Sequence, residues 1–547
     1  MSVYSGDSPA VAESGYAGAT EKKTIDRTPP SITEEPAPRI STPLFALFYA
    51  GALVAMFIAS LEAVIPASFF IQAVGPWGVD VSSLWMMAAY LIGYVACILP
   101  VVRLGDVVGR LSMFWLGIVL FVIFTGVAGH AGTSYTFCVL RAFQGVGAAI
   151  MTGITVKIVG AQSTERSRAL LVAGLASAQL FGVGAAHIIG GQLAVDDKFR
   201  WAIWLAAPLA AAPAILCTPA LISDGKSQHY EDSLVSRIIR FDYVGTFLLM
   251  GAAIMLTSGL TFGGNEHGWS SATVLCLIIF GAVTVVLFIL WEKLAAKRPI
   301  FNTRWLMERN LQISMASVLL MSMVFFSNAI YVPIFYITAR TQQSDYAGRM
   351  TAPYWGVSMG AALLAGLVVR FKPGMARPVV WFGLLVGVVF AGLYYTIELE
   401  PSSLAKERAF YALAGLGLGL AYPIVNYLAQ ISVAGAESGD AAAVAHFLSV
   451  VGGMLGMILY QACLKSRLIY NLSPIFAQYP LLSVFNVHTM DIAGLESSGP
   501  SILGYLPDVA PIIGEKMLDS IHTTFVLSVP FLGTALLATL LYKRTTA

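Results

Sequence analysis

Fourteen apolar stretches, most of them near twenty residues long, recur along this 547-residue chain and decide what it can fold into. A helix of that length matches the hydrocarbon core of a bilayer, about 30 Å thick. Lipid offers backbone N–H and C=O groups no partners, so each stretch must satisfy its own as an α-helix. The only other solution is a closed barrel, and no barrel-like alternation is present. The stretches lie near 44–66, 84–102, 111–130, 136–157, 169–193, 201–221, 243–262, 271–291, 310–337, 351–369, 379–397, 409–433, 441–462 and 523–542. Only 11% of the residues are charged, whereas soluble domains carry about a quarter, so the soluble multidomain reading that length suggests is set aside. The fold class is an all-α polytopic membrane protein.

Basic residues give the expected orientation. With the N-terminus inside, one set of loops carries Arg103, Arg110, Arg166, Arg168, Arg237, Arg240, Lys293, Arg304, Arg370 and Arg377 among others, and the opposite set carries fewer. That bias places both termini in the cytoplasm of a multi-pass protein, in the cell membrane or a vacuolar one. A net charge of only +2 argues against nucleic acid as a partner. The five cysteines fall in or beside apolar runs without C-x-x-C spacing, so no disulfide framework or zinc site is expected and they read as small buried hydrophobes. Residues 1–42 are rich in Pro, Ser, Thr and mixed charge and read as a disordered tail. A six-helix unit is expected over 43–222, a linker with two further helices over 223–300, and a second six-helix unit over 301–547. The last of these contains a long outside loop, 464–522, in which Asn471-Leu472-Ser473 is a candidate glycosylation acceptor. A faint internal echo supports two units: Val101-Val102-Arg103 recurs as Val368-Val369-Arg370, each closing the second span of its unit.

Against this apolar background a few polar residues stand out. Arg103, Asp106, Gly109 and Arg110 form a charged, glycine-bearing break between the second and third spans, where any polar linker would suffice for a mere connection. Glu62 lies within the first span and Arg141 within the fourth, and an ionisable residue at that depth is by default a functional candidate. Protonating the acid would free the arginine, which would couple proton binding to rearrangement; the alternative is a static pair. Span five contains Gly182, Gly190 and Gly191, which let another helix approach closely, and His187, which either titrates or serves as a satisfied buried donor. Gln144, Gln179, Asn328, Tyr331, Asn426, Gln430 and His446 face either a substrate cavity or a neighbouring helix. No phosphate-binding G-x-x-x-x-G-K-[ST] loop, nucleophile–base set or metal-ligand cluster is present, so neither ATP-driven transport nor an enzyme is expected, and no metal or cofactor is called for.

Taken together, these stretches resemble the major facilitator superfamily, specifically its fourteen-span drug:proton antiporter branch common in fungi. The turn Leu104-x-Asp106-x-x-Gly109-Arg110 is similar to the superfamily's gate motif, and Arg141-x-x-Gln144-Gly145-x-Gly147 to its span-four motif, whose Arg is implicated in proton transfer. Gly182 to Gly190-Gly191 resembles the span-five export motif, and the region around Asp242, Trp269 and Trp291-Glu292 resembles the inserted helix pair. The departures are Val102 for the usual leading Gly, Leu111 for a third basic residue, Glu62 for the commoner Asp, and Ala186-His187 where Gly-Pro is usual. The missing Pro removes a helix kink. The resemblance implies two six-helix bundles rocking about a central cavity, with two inserted helices. Such a protein would exchange protons for a hydrophobic or amphipathic small molecule (a drug, toxin or secondary metabolite), working as a monomer in the lipid bilayer. Two other readings stay open: a proton symporter taking up a chelate or nutrient, and a non-transporting membrane sensor.

Overall fold

The computed structural model describes residues 40–69, 83–196, 198–227, 233–264, 267–296, 299–340, 342–398, 403–478 and 510–543. The expected N-terminal tail falls almost wholly outside them. Among the described residues, fourteen helices are long and apolar enough to cross a membrane. They are α1 (Thr42–Ser68), α2 (Leu84–Val108), α3 (Arg110–Ala128), α4 (Ser134–Gln162), α5 (Glu165–Val195), α6 (Phe199–Gly225), α7 (Tyr243–Phe262), α8 (Ala272–Leu294), α9 (Arg309–Thr338), α10 (Ser344–Phe371), α11 (Pro373–Thr396), α12 (Leu404–Ile431), α13 (Gly435–Ile475) and α14 (Pro511–Leu540).

The packing repeats across the chain. In the first half α1 packs on α5 and α6, while α2 and α3 pack on α4; in the second, α9 packs on α13 and α14, while α10 and α11 pack on α12. The equivalence of α2 with α10 is the one that the Val-Val-Arg echo suggests. Helices α7 and α8 pack on each other, and α7 lies against α2. Burial follows this plan: the best apolar window of α2 is 94% buried and that of α8 only 17%, so α8 presents its side chains to lipid. Large exposed apolar residues such as Phe247, Phe280 and Leu294 are ordinary there, since lipid and not water is the neighbouring solvent. Cys97, Cys138 and Cys217 are buried as expected, but Cys276 on α8 is exposed for the same reason.

Small residues set how closely helices meet, both within the first half and between the halves. A Cβ at Gly182 would lie 2.3 Å from the Phe57 carbonyl oxygen, and one at Gly191 would lie 2.6 Å from that of Ser344 on α10. Between them, Gly190 faces Ser68 and the His187 carbonyl faces Gly348. Backbone-to-backbone approach replaces the hydrophobic driving force that water would supply between soluble helices. With no proline in it, α5 runs unbroken through Ala186-His187.

One expectation needs correcting. The region 464–522 is not a loop at either end, because a continuous 41-residue helix runs Ser438–Gln478 and another runs Ala510–Phe525. At 1.5 Å per residue the first is about 60 Å long, roughly twice a bilayer core. Its polar residues break the apolar run without breaking the helix, because the two extensions bury Leu472, Ile513, Met517 and Ile521. Asn471 lies inside this helix, and its amide donates to the Lys516 carbonyl (3.3 Å), Asp519 Oδ2 (3.0 Å) and Ser520 Oγ (2.9 Å). A glycan there would have to displace all three contacts.

Candidate functional site

At the end of the molecule bearing the α2–α3 turn, charged side chains tie the two halves together. Gly109 holds φ at +117°, a left-handed conformation that a residue with a Cβ rarely adopts, and so lets α3 start immediately after α2. That brings Arg110 back over Asp106, with Nε and Nη2 both donating to Oδ1 at 3.1 Å. Arg110 Nη1 also donates to Asp224 Oδ2 at 3.1 Å, so this arginine is spent inside its own half. The crossing contacts come from other residues. Arg103 Nη1 donates to Asp440 Oδ2 at 3.0 Å, and Lys157 on α4 bridges Asp106 Oδ2 to Asp440 Oδ1, the latter at 2.8 Å. Ser438 Oγ donates to the Gly160 carbonyl at 2.9 Å, where α4 and α13 touch. Asp440 sits in the first turn of its helix, where the unpaired N–H groups favour an anion.

Deeper in the first half lies a second cluster. Glu62 and Arg141 are wholly buried and paired directly: Arg141 Nη1 donates to Glu62 Oε2 at 2.7 Å and to Gln144 Oε1 at 2.8 Å, while Nη2 reaches the Glu62 carbonyl. Gln144 Nε2 passes the network on to Thr125 Oγ1 at 2.7 Å. The guanidinium also stacks over Tyr90, 4.6 Å from the ring centroid. Glu62 Oε1 accepts no hydrogen bond from a described residue. Arg141 Nε likewise finds no partner among the described residues, so the pair is held by its direct contact and by Gln144.

Gln179, Asn426, Gln430 and His446 line one small cavity with Met56, Tyr422 and others, beside the α4–α13 contact at Gly160 and Ala442. Its volume is about 40 Å³, room for little more than a water molecule. His446 Nε2 lies 2.7 Å from the Tyr94 hydroxyl, which also contacts Thr152, and Asn426 Nδ2 donates to the Tyr422 carbonyl at 2.9 Å. The remaining cavity candidates lie elsewhere. Gln144 belongs to the Glu62–Arg141 network. Tyr331 donates to the Met457 carbonyl (2.9 Å) and Gln461 Oε1 (3.1 Å), joining α9 to α13, and Asn328 reaches Tyr354 at 3.5 Å. These last two bond helix to helix. His187 bridges the halves: Nδ1 is 2.7 Å from the Val183 carbonyl and Nε2 is 2.5 Å from that of Ala329 on α9, with Trp355 stacked alongside. A neutral imidazole can donate to one of these oxygens; only the imidazolium donates to both.

Sequence reasoning missed Lys157 and Asp440. Their signals were a lysine inside the apolar run Ile154–Val159, the kind of cue that exposed Glu62, and an acid in the first turn of a span.

Two helical bundles that meet across a small polar cavity, with ion pairs joining them at one end, are the architecture of a membrane transporter. The sequence profile of the Major Facilitator Superfamily matches residues 44–313. Among curated proteins, the chain is similar to the multidrug transporter protein MdtP of Bacillus subtilis (25% identity over 520 residues, 91% of this chain and 93% of that protein). It is also similar to the efflux pump dotC of Dothistroma septosporum (24% identity, 80% and 74%). The fold aligns with a bacterial homologue of the human lysosomal transporter Spinster, inward-facing and occupied, at TM-score 0.56 and 13% identity over 92% of this chain and 97% of that one. It aligns with the human organic anion transporter MFSD10 at TM-score 0.54 and 12% identity over 91% and 98%. By this match and these relatives, the chain is similar to transporters of the major facilitator superfamily. It is an integral membrane protein and a secondary transporter of small molecules.

Proposed function

We propose that the protein is a proton-coupled exporter of hydrophobic or amphipathic small molecules, working as a monomer in the cell membrane with both termini in the cytoplasm. The observation that carries this reading is the wholly buried Glu62–Arg141 pair, whose acid has one oxygen open to a proton. Protonating Glu62 removes the carboxylate charge and leaves Arg141 with a buried positive charge that must find new partners. The helices holding it must then rearrange, which gives proton binding a mechanical consequence. His187, set between two carbonyl acceptors on opposite halves, is a second group whose proton would strengthen the contact between them. Inward movement of one proton releases about 2.3 kcal/mol per 100 mV of membrane potential, in addition to the pH term. Export as the direction, and a lipophilic cargo, are supported by the names of the relatives, a multidrug transporter and an efflux pump. The ion-paired end is, in this reading, the cytoplasmic gate in its closed state.

The test is flux in proteoliposomes with an imposed pH gradient, using lipophilic dyes and tetraphenylphosphonium as probes. Probe movement opposite to the proton gradient, abolished by a protonophore, is the expected result. Flux indifferent to the gradient, or no gradient-driven flux of any probe, would overturn the proposal.

A further inference from the structure

The inserted pair α7–α8 has no counterpart in the repeat, yet its inner end is wired into the gate. Asp242, just before α7, accepts from Gly245 N and from Trp291 Nε1 at the end of α8, both at 2.9 Å, and so ties the two helix ends together. Gly245 is needed for this closeness, since a Cβ there would lie 2.2 Å from Asp242 Oδ2 and 3.1 Å from Glu292 Oε1. Glu292, the next residue on α8, is 4% exposed and points away from lipid, accepting from the Ile300 backbone N–H through Oε1 at 3.1 Å. The carbonyl of Ile300 in turn accepts from Arg103 Nε at 3.2 Å. Arg103 then spends Nη1 on Asp440. One buried residue of the linker is thus held on its N–H by the inserted pair and on its C=O by the gate arginine. Farther along, the linker crosses to the other half: Asn302 Nδ2 and Trp305 Nε1 donate to the two carboxylate oxygens of Glu437, at 3.0 and 2.8 Å. A cavity of about 620 Å³ lies beside this strap, so loose packing does not hold Arg103 in place and the hydrogen bonds must.

We propose that the inserted helix pair braces the gate, and that Glu292 is a positioning residue which, through Ile300, aims Arg103 at Asp440. The proposal rests on the gate reading given under Proposed function. What the brace needs from Glu292 is an acceptor oxygen, not a charge, so the variants separate. Glu292→Gln keeps a side-chain oxygen of the same reach, Glu292→Met keeps the shape without an acceptor, and Glu292→Ala removes both.

The experiment is a distance measurement across the gate by pulsed electron spin resonance, on the full chain in lipid nanodiscs. Labels at Thr164 and Lys372, one on each half, would be placed in a background lacking the five native cysteines. In Glu292→Met and Glu292→Ala the ratio of long to short distances should rise about three- to tenfold, whereas Glu292→Gln should stay near wild type. Arg103→Ala should open the gate similarly, and Arg103→Ala combined with Glu292→Met should do no more than the larger single effect, because both act on one chain of contacts. Additive effects, or equal opening in the Gln and Met variants, would overturn the brace. Should Glu292→Ala fail to fold, the Met and Gln pair decides the matter. A wild-type distribution that never lengthens, at any pH and with any probe, would overturn the gate reading beneath it.

Discussion

Arg141→Ala should abolish gradient-driven transport and lower stability by about 3–5 kcal/mol, the cost of leaving one member of a buried pair without the other. The reason lies in the surroundings of Glu62. It is wholly buried, one of its oxygens accepts no hydrogen bond from a described residue, and the other accepts from Arg141. Removing the guanidinium strands a carboxylate in a low-dielectric site and also empties the space over Tyr90. Acid should partly relieve the loss, because a protonated Glu62 carries no charge to strand; the deficit in melting midpoint should therefore be larger at pH 8 than at pH 5. In Arg141→Ala with Glu62→Gln the stability should largely return, since no charge is left unpaired, while coupled transport should not. Melting curves of the purified single and double variants at the two pH values check this. A double variant as unstable as Arg141→Ala would show that packing, not charge, explains the loss.

The second large effect is expected at Asp440, which no motif pointed to. Asp440→Ala removes the one acid that both Arg103 and Lys157 reach across the interface. Lys157 keeps Asp106 and Arg103 keeps the Ile300 carbonyl, so neither cation is left bare and the fold should survive. The closed arrangement alone loses its ties, by about 1–3 kcal/mol in the range typical of conformational coupling, which is a roughly 5- to 150-fold shift toward the open state. Alkylation from the gate side of a cysteine introduced at Ala176, on the wall of the small cavity, should accelerate accordingly. An unchanged alkylation rate would mean that the backbone contacts between Gly160 and Gly439, and not the ion pairs, keep this end shut.

Much of this architecture was legible from the residues, for physical reasons that also explain what was not. Lipid forces each long apolar run to be a helix, so all fourteen spans could be placed from hydropathy. Glu62 and Arg141 declared themselves as charges inside such runs, but their contact, 79 residues apart in sequence, needed the packing of α1 against α4 and α5 to be known. Arg110 belongs to the turn that resembles a gate motif, yet in the fold Asp106 and Asp224 of its own half take up its donors. Lys157 supplies the bridge instead, because α4 and α13 touch at Gly160 and Gly439 and bring its amine over Asp440. The polar residues of the spans divided in the same way. Gln179, Asn426, Gln430 and His446 converge on one cavity, whereas Tyr331 and Asn328 bond helix to helix. Composition cannot tell a residue that faces a cavity from one that faces a neighbour, since the difference is a rotation about the helix axis. Hydropathy misplaced the ends of α13 and α14 for a related reason: two helices that emerge from the membrane side by side can carry charges outward and still bury Leu472, Met517 and Ile521 between them.

If the proton that Glu62 takes up is exchanged for cargo, binding of cargo must drive that proton off. This exchange is tested most directly by following protons as cargo binds. Purified protein in weakly buffered detergent solution, carrying a pH indicator, would be mixed with tetraphenylphosphonium, a cation that does not itself titrate, and binding would be registered in parallel by equilibrium dialysis. The account predicts that the wild-type chain releases protons as the probe binds and that Glu62→Gln binds it without release. Wild-type binding with no proton release, or an undiminished release from Glu62→Gln, would contradict it.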